Sequence, residues 1–272
     1  MMWTRIKSFF AFYVRAITRY NVQAPFLYDF VTHVLDTEKE FYSFEAIESQ
    51  RKRLRSLNNE IIPSDFGGGS VTNTSGKKKV SDIAQTSLSG ISKCRILFNI
   101  VNHYTCHNIL ELGTSLGISS AYLASANHNA RISTMEGDKN IATIAAEMHQ
   151  LLGIKNVDIV TGQFKDTLSG VLEKLGTVDL VFIDGHHKEE PTIQYFNMIH
   201  KYCGNNSIIV IDDIYWSEEM TSAWHKIMAH SDVTLSVDLF DIGIVFFRKE
   251  LSKQHVAYLP YKYKPWKIGL FG

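Results

Sequence analysis

The chain has 272 residues, of which 45% are hydrophobic and 21% charged, with 28 basic residues against 28 acidic ones. That length buries a sizeable core, and the balanced charge excludes a global positive field of the kind that gathers nucleic acid. The three cysteines, Cys94, Cys106 and Cys203, form no CxxC pair, which excludes a zinc-finger set or a disulfide framework and points to a reducing cytoplasm.

Taken in chain order, residues 3–20 place Trp3, Ile6, Phe9, Phe10, Tyr13, Val14 and Ile17 at helical spacing, among Arg5, Lys7, Arg15 and Arg19. The pattern predicts a basic amphipathic helix, which can rest on the protein body, on a second copy in a homodimer, or peripherally on a membrane surface. Its unbroken apolar run, Phe9 to Val14, is too short for a signal-peptide core, and nothing approaches the ~18–20 apolar residues of a transmembrane helix. Pro25 opens a second helix to about Leu35, and residues 38–57 read as a third, so residues 1–62 form a helical extension. The basic runs at Arg51–Arg55 and Lys77–Lys79 read as a solvated helix face and a loop. Residues 63–79, which include "SDFGGGS", are rich in Gly, Ser, Thr and Lys and predict a flexible loop able to act as a lid. A fourth helix follows over 82–104.

From residue 108 the texture changes to short apolar runs alternating with helical stretches. Strands are expected at Asn108–Leu112, Arg131–Glu136, Val157–Val160, Val178–Asp184, Ser207–Asp212, Val233–Phe240 and Gly243–Arg248. Helices are expected at about 117–127, 138–152, 166–175, 190–203 and 217–230. This order predicts an α/β, Rossmann-like fold with a seven-stranded, mostly parallel sheet and helices on both faces. The short link between the last two strands makes the seventh antiparallel. The catalytic domain is then 80–250 and the tail 251–272.

In such a sheet, ligands bind beyond the carboxyl ends of the strands. "LELGTSLGISS" (110–120) has the layout of strand, tight turn and helix start. Gly113 and Gly117 let backbone approach a ligand, and Glu136, ending the next strand, can accept both hydroxyls of a ribose. G-x-x-x-G preceded by Glu111 is not the dinucleotide G-x-G-x-x-G pattern. An acid there repels phosphate and suits an ammonium-bearing ligand, so S-adenosylmethionine fits better than a nicotinamide dinucleotide. Two later strands end in "IDGHH" and "IDDIYWS". Asp184, Asp212 and Asp213 would repel one another on a shared edge unless a cation lay between them, and oxygen ligands suit Mg²⁺ or a similar divalent ion. A neighbouring neutral histidine can then remove a proton. Tyr215 and Trp216 either flank an acceptor or pack in the core.

These motifs resemble the class I S-adenosylmethionine-dependent methyltransferases, closest to the metal-dependent O-methyltransferase group that includes the catechol and caffeoyl-CoA enzymes and relatives with D-G-x-H. The match to E-L-G-x-x-x-G-x-S is full at Glu111, Leu112, Gly113, Gly117 and Ser119. The metal pair departs from the group's Asp-Asn, since Asp213 stands where Asn is usual. The resemblance implies transfer of a methyl group to a small-molecule acceptor. It implies a cofactor site of Glu111, Gly113, Thr114, Gly117, Ser119, Glu136, Phe164 and Asp184, a metal at Asp184, Asp212 and Asp213, and His187 as base with His186 as the alternate. A nicotinamide-dependent oxidoreductase or a non-catalytic, membrane-peripheral scaffold would share the same frame.

Overall fold

The structure is a computed structural model and describes residues 2–62 and 76–265. "SDFGGGS" and most of the expected lid therefore lie outside the described residues. The elements run α1 (Met2–Arg15), α2 (Pro25–His33), α3 (Tyr42–Ser56), β1 (Glu60–Ile61), β2 (Lys78–Lys79), α4 (Val80–Thr86), α5 (Ile91–Tyr104), β3 (Asn108–Leu112), α6 (Ile118–Ala126), β4 (Arg131–Glu136) and α7 (Lys139–Leu151). They continue with β5 (Val157–Thr161), α8 (Phe164–Leu175), β6 (Val178–Ile183), α9 (Glu189–His200), β7 (Cys203–Asp212), α10 (Glu218–Ala229), β8 (Leu235–Asp238), β9 (Ile242–Phe246) and β10 (Gln254–Ala257). The single helix expected over 82–104 is two, because Gly90 caps α5 in an extended conformation and ends the run after α4.

Contacts divide the chain into two compact units, Thr37–Gly176 and a second built from both chain ends, Met1–Asp36 with Thr177–Gly272. In the first, β3, β4 and β5 are parallel neighbours with β4 in the middle. Phe44, Ile47 and Leu54 of α3, Val80 and Ile83 of α4, Phe98 of α5 and Tyr122 of α6 form a core cluster with Met148 of α7. Arg51, expected on a solvated face, turns inward and is only 3% exposed. It pairs with Glu48 at 2.9 Å and donates to the Ser89 carbonyl at 2.7 Å, while the Tyr122 hydroxyl donates to Glu48 at 3.0 Å. A buried guanidinium is tolerated only with such partners.

The second unit holds five strands in the order β10-β8-β9-β7-β6. β6 and β7 are parallel, β9 is antiparallel to both β7 and β8, and β10 lies parallel to β8. The antiparallel strand is as expected, but it is not the last, and the described strands of the α/β frame number eight. The extra one, β10, falls in the segment read as a tail, where "QHVA" is too short and too mixed to show a period. The β8–β9 link is Leu239–Asp241, turned by Phe240 at φ 72° with its N–H bonded to the Asp238 carboxylate at 2.9 Å.

Helix α1 packs its inner face within this unit. Phe12 is fully buried, Phe9 and Phe12 meet the Phe240 ring at 5.1 and 5.5 Å, and Arg5 pairs with Asp241 at 3.0 Å. Arg15 joins Asp238 and the Tyr215 hydroxyl. The helix stops at Arg15, short of the expected 20, where Ile17 turns into a bridge with Tyr258.

Gly243 of β9 faces the fully buried Trp224 of α10, and a Cβ there would meet the indole ring at 2.5–2.8 Å. Gly243→Ala should destabilise the protein by roughly 1–3 kcal/mol through overpacking. Gly204→Ala, whose Cβ would sit 3.7 Å from Thr177, should change it by no more than about 0.5 kcal/mol. Chemical denaturation of both variants checks this.

Candidate functional site

The sequence-predicted residues fall into two groups, one per unit. In Thr37–Gly176 the first group surrounds the turn after β3. Gly113 (φ 103°) and Gly117 (φ 84°) take backbone angles that favour glycine, with Ser115 at φ 47° between them. The N–H groups of Gly113 and Thr114 both donate to the Met135 carbonyl at 3.0 Å, tying the turn to the end of β4. Gly117 has a second reason to be glycine, since a Cβ there would lie 2.8 Å from Met148 Cε and 2.9 Å from His149 Nε2. His149 Nε2 lies 3.1 Å from the Gly117 carbonyl and 2.9 Å from the Ser120 hydroxyl, which itself donates to that carbonyl at 3.0 Å. The ring must therefore carry its proton on Nε2. Burial lowers the pKa of His149, against the bond to the Gly117 carbonyl that raises it.

Glu111 is completely buried. Thr134 Oγ1 donates to its Oε2 at 2.5 Å, and Thr114 Oγ1 lies 2.6 Å from Thr134 Oγ1. With the carboxylate ionised, the Thr134 proton is committed to Glu111, so Thr114 is the donor to Thr134. Burial drives the Glu111 pKa up to about 7, against hydrogen bonds from Ser119 and Thr134 that hold it down. Glu136, at the tip of β4, accepts from the Ser115 N–H at 2.8 Å and the Asp138 N–H at 3.0 Å, and burial raises its pKa too. Ser119 is buried in the first turn of α6, and Phe164, 7% exposed, opens α8 just beyond β5.

Sequence reasoning missed two further residues here. Asp138 caps α7 through one oxygen, accepting from Asn140 and Ile141 N–H at 2.8 and 3.1 Å. Among the described residues its Oδ2 is buried with no hydrogen-bond partner, as are Ser115 Oγ and Glu111 Oε1. Buried polar atoms without partners are costly, and three around one turn call for a polar ligand. The signal was available in "EGDKN", an acid at an N-cap two residues past the strand tip.

The second group lies beyond β6 and β7. His187 stands between two carboxylates, its Nε2 3.8 Å from Asp184 Oδ1 and its Nδ1 3.9 Å from Asp213 Oδ2. Those are ion-pair distances, too long for direct hydrogen bonds. His186 and His187 have φ of 66° and 40°, and Asp213 51°. Non-glycine residues in this region store strain and concentrate at functional sites. Asp212 is 3% exposed and accepts the Asp213 N–H at 2.8 Å. His186 packs against the Tyr195 ring at 5.7 Å, and burial followed by the His187 charge lowers its pKa. Tyr215 belongs to the core, with its hydroxyl donating to Asp238 at 2.7 Å and its ring stacked on Phe240, while Trp216 stays exposed under Arg5.

With this geometry in view, the comparisons with known proteins bear on it directly. Residues 110–214, which carry the turn, Glu136, Asp184 and the Asp212–Asp213 pair, match the family described as a methyltransferase domain. The match spans less than half of the chain and marks this stretch as similar to that family. Curated relatives of the chain include two catechol O-methyltransferases. A catechol O-methyltransferase of Niastella koreensis is 34% identical over 110 residues, covering 39% of this chain and 49% of the relative. Catechol O-methyltransferase B of Danio rerio is 35% identical over 104 residues, covering 37% and 39%. The chain spans half or less of the length of these relatives. Among solved structures, an O-methyltransferase of Streptomyces achromogenes involved in tomaymycin synthesis, in complex with S-adenosylmethionine, shares the fold at a TM-score of 0.54. It is 18% identical and is matched over 80% of this chain and 94% of that one.

The raised pKa of Glu111 has a measurable sign. The native state holds this proton more tightly than the unfolded chain, so the carboxyl costs stability once pH rises through the range from about 4.5 to about 7. Glu111→Gln, which cannot ionise, should be more stable than the parent at pH 8 by about 3 kcal/mol. The gain should vanish near pH 4.5, as denaturant melts at both pH values would show.

Proposed function

We propose that the chain is an S-adenosylmethionine-dependent O-methyltransferase acting on a small-molecule hydroxyl. The observation that carries this reading is the turn after β3, where Glu111 Oε1, Ser115 Oγ and Asp138 Oδ2 are buried without partners among the described residues beside two glycines that open the backbone. Acidic oxygens suit the ammonium and the ribose hydroxyls of this cofactor and oppose a pyrophosphate, which weighs against the nicotinamide alternative. The bound structural relative supports the same cofactor.

In this reading Gly113, Thr114 and Gly117 give the cofactor close approach to backbone, Glu111 and Ser119 face its polar end, Glu136 takes its ribose, and Phe164 borders its adenine. S-adenosylmethionine supplies an electrophilic methyl group, so the protein's main task is to align it with a deprotonated acceptor oxygen. His187 takes the acceptor's proton, with Asp184 and Asp213 on either side of the ring to pair with the imidazolium. His186 is the alternate base, its pKa lowered by burial and by the His187 and Lys188 charges. Asp184, Asp212 and Asp213 offer hard oxygen donors of the kind that suit a divalent ion such as Mg²⁺, which would lower the pKa of a bound hydroxyl, although among the described residues only His200, His230 and Asp232 bring ligand atoms within 4.8 Å of one another. No disulfide joins the three cysteines, in keeping with a cytoplasmic setting, and no helix among the described residues is long and apolar enough to cross a membrane.

The outer face of α1 supports a further partner. Ile6, Phe10 and Val14 lie one helical turn apart and are exposed, with Val14 at 74%, and the helix carries Arg5, Lys7 and Arg15 without an acid. A basic helix with an exposed apolar stripe suits the surface of an anionic membrane.

Calorimetry should show S-adenosylmethionine binding and no binding of NAD; the reverse result would overturn the assignment. Against a panel of catechol-type and other hydroxyl acceptors, His187→Ala should lower kcat by about 10²–10⁴-fold while leaving cofactor affinity unchanged. The protein should co-sediment with phosphatidylserine vesicles and Phe10→Glu should abolish this; a dimer in solution that Phe10→Glu dissociates, without vesicle binding, would assign the stripe to a second copy instead.

A further inference from the structure

Two histidines and an aspartate meet far from the strand tips, where α9 and α10 end. Helices in a parallel α/β layer run against their strands, so these ends lie at the opposite edge from Asp184 and Asp212. His200 sits in the last turn of α9 and His230 is the residue that ends α10. Their ring centroids are 4.6 Å apart. Asp232, two residues further on, brings Oδ2 to 3.2 Å from His200 Nε2. One ligand atom from each of the three lies within 4.8 Å of the other two.

Both rings are held in place by aromatic neighbours. Phe196, one turn before His200, stacks on that ring at 5.9 Å and meets His230 edge-on at 5.4 Å, and Phe247 lies 5.2 Å from His200. A helix end carries partial negative charge, and two such ends converge here. The end of α10 already draws a cation, since Lys253 Nζ donates to the Ala229 and His230 carbonyls at 3.2 and 2.9 Å. Ligand atoms around a tetrahedral zinc stand roughly 3.3–3.5 Å apart, so small side-chain rotations close the set around an ion.

We propose that His200, His230 and Asp232 form a metal site for Zn²⁺ or a divalent ion of similar preference, with three protein ligands and a fourth position open to water. Its nitrogen-rich donors select zinc-like ions, whereas the carboxylate set at Asp184, Asp212 and Asp213 suits Mg²⁺. The ion would staple the ends of α9 and α10 together, and it stands apart from methyl transfer.

The test uses the full chain, stripped with chelator and titrated with zinc by calorimetry, in an Asp184→Ala background that weakens the other set. One equivalent should bind, and zinc should raise the thermal midpoint. Cobalt in its place should give the intense visible absorption of a tetrahedral site. Asp232→Asn alters an exposed side chain and cannot unfold the protein; it and His200→Gln should each weaken zinc binding by at least about tenfold and abolish the thermal shift. Zinc binding unchanged in both variants, or no zinc binding in the parent, would overturn the proposal.

Discussion

A carboxylate sealed inside the protein governs the unit from Thr37 to Gly176. Glu111 is the fourth residue of β3, with no access to water. Desolvation would expel it or leave it protonated were its neighbours apolar. Thr134 on the adjacent strand and Thr114 in the following turn supply the hydroxyls that make it tolerable. This chain of three side chains joins two strands and the turn, so the turn cannot shift without exposing a poorly satisfied charge. The same scarcity of water that makes Glu111 expensive makes the unpartnered oxygens beside it strong attractors of a complementary ligand.

Most of the frame was legible because strands and helices here carry clean periods. β3 and β4 fall where the apolar runs put them, and the helices that follow them start within a residue or two of the expected places. What escaped was short or depended on distant partners. β10 has four residues, and its pairing with β8 is a long-range event that no local pattern announces. Arg51 looked like part of a solvated basic run because nothing nearby in sequence reveals Ser89 and Cys94 as its partners. In the site, residue types pointed to Glu111, Glu136 and the carboxylates after β6 and β7. Ser115 and Asp138 were not singled out, because their importance lies in atoms left without partners, a property of packing and not of spacing.

The unit made from the chain ends handles its polar residues differently. After β6 and β7 the backbone itself bears the cost: His186, His187 and Asp213 adopt left-handed angles that side chains with a Cβ resist, at a cost of about 1–3 kcal/mol each. Behind them β6 is buried along almost its whole length and β7 over its last six residues, which gives the rigid support such angles require. The first unit thus combines a buried charge with a left-handed Ser115, whereas the second places its strain in the turns after β6 and β7. In each case the expense falls at a strand's carboxyl end.

That second unit also sets a schedule for synthesis. Residues 37–176 form a compact unit of their own, whereas α1 meets its ring partner Phe240 only after 228 further residues have been added, the difference between positions 240 and 12. At about 5–20 residues per second the first helix waits roughly ten to fifty seconds on the ribosome with its aromatic inner face uncovered. For that interval Phe12, fully buried in the folded chain, lacks the ring that covers it.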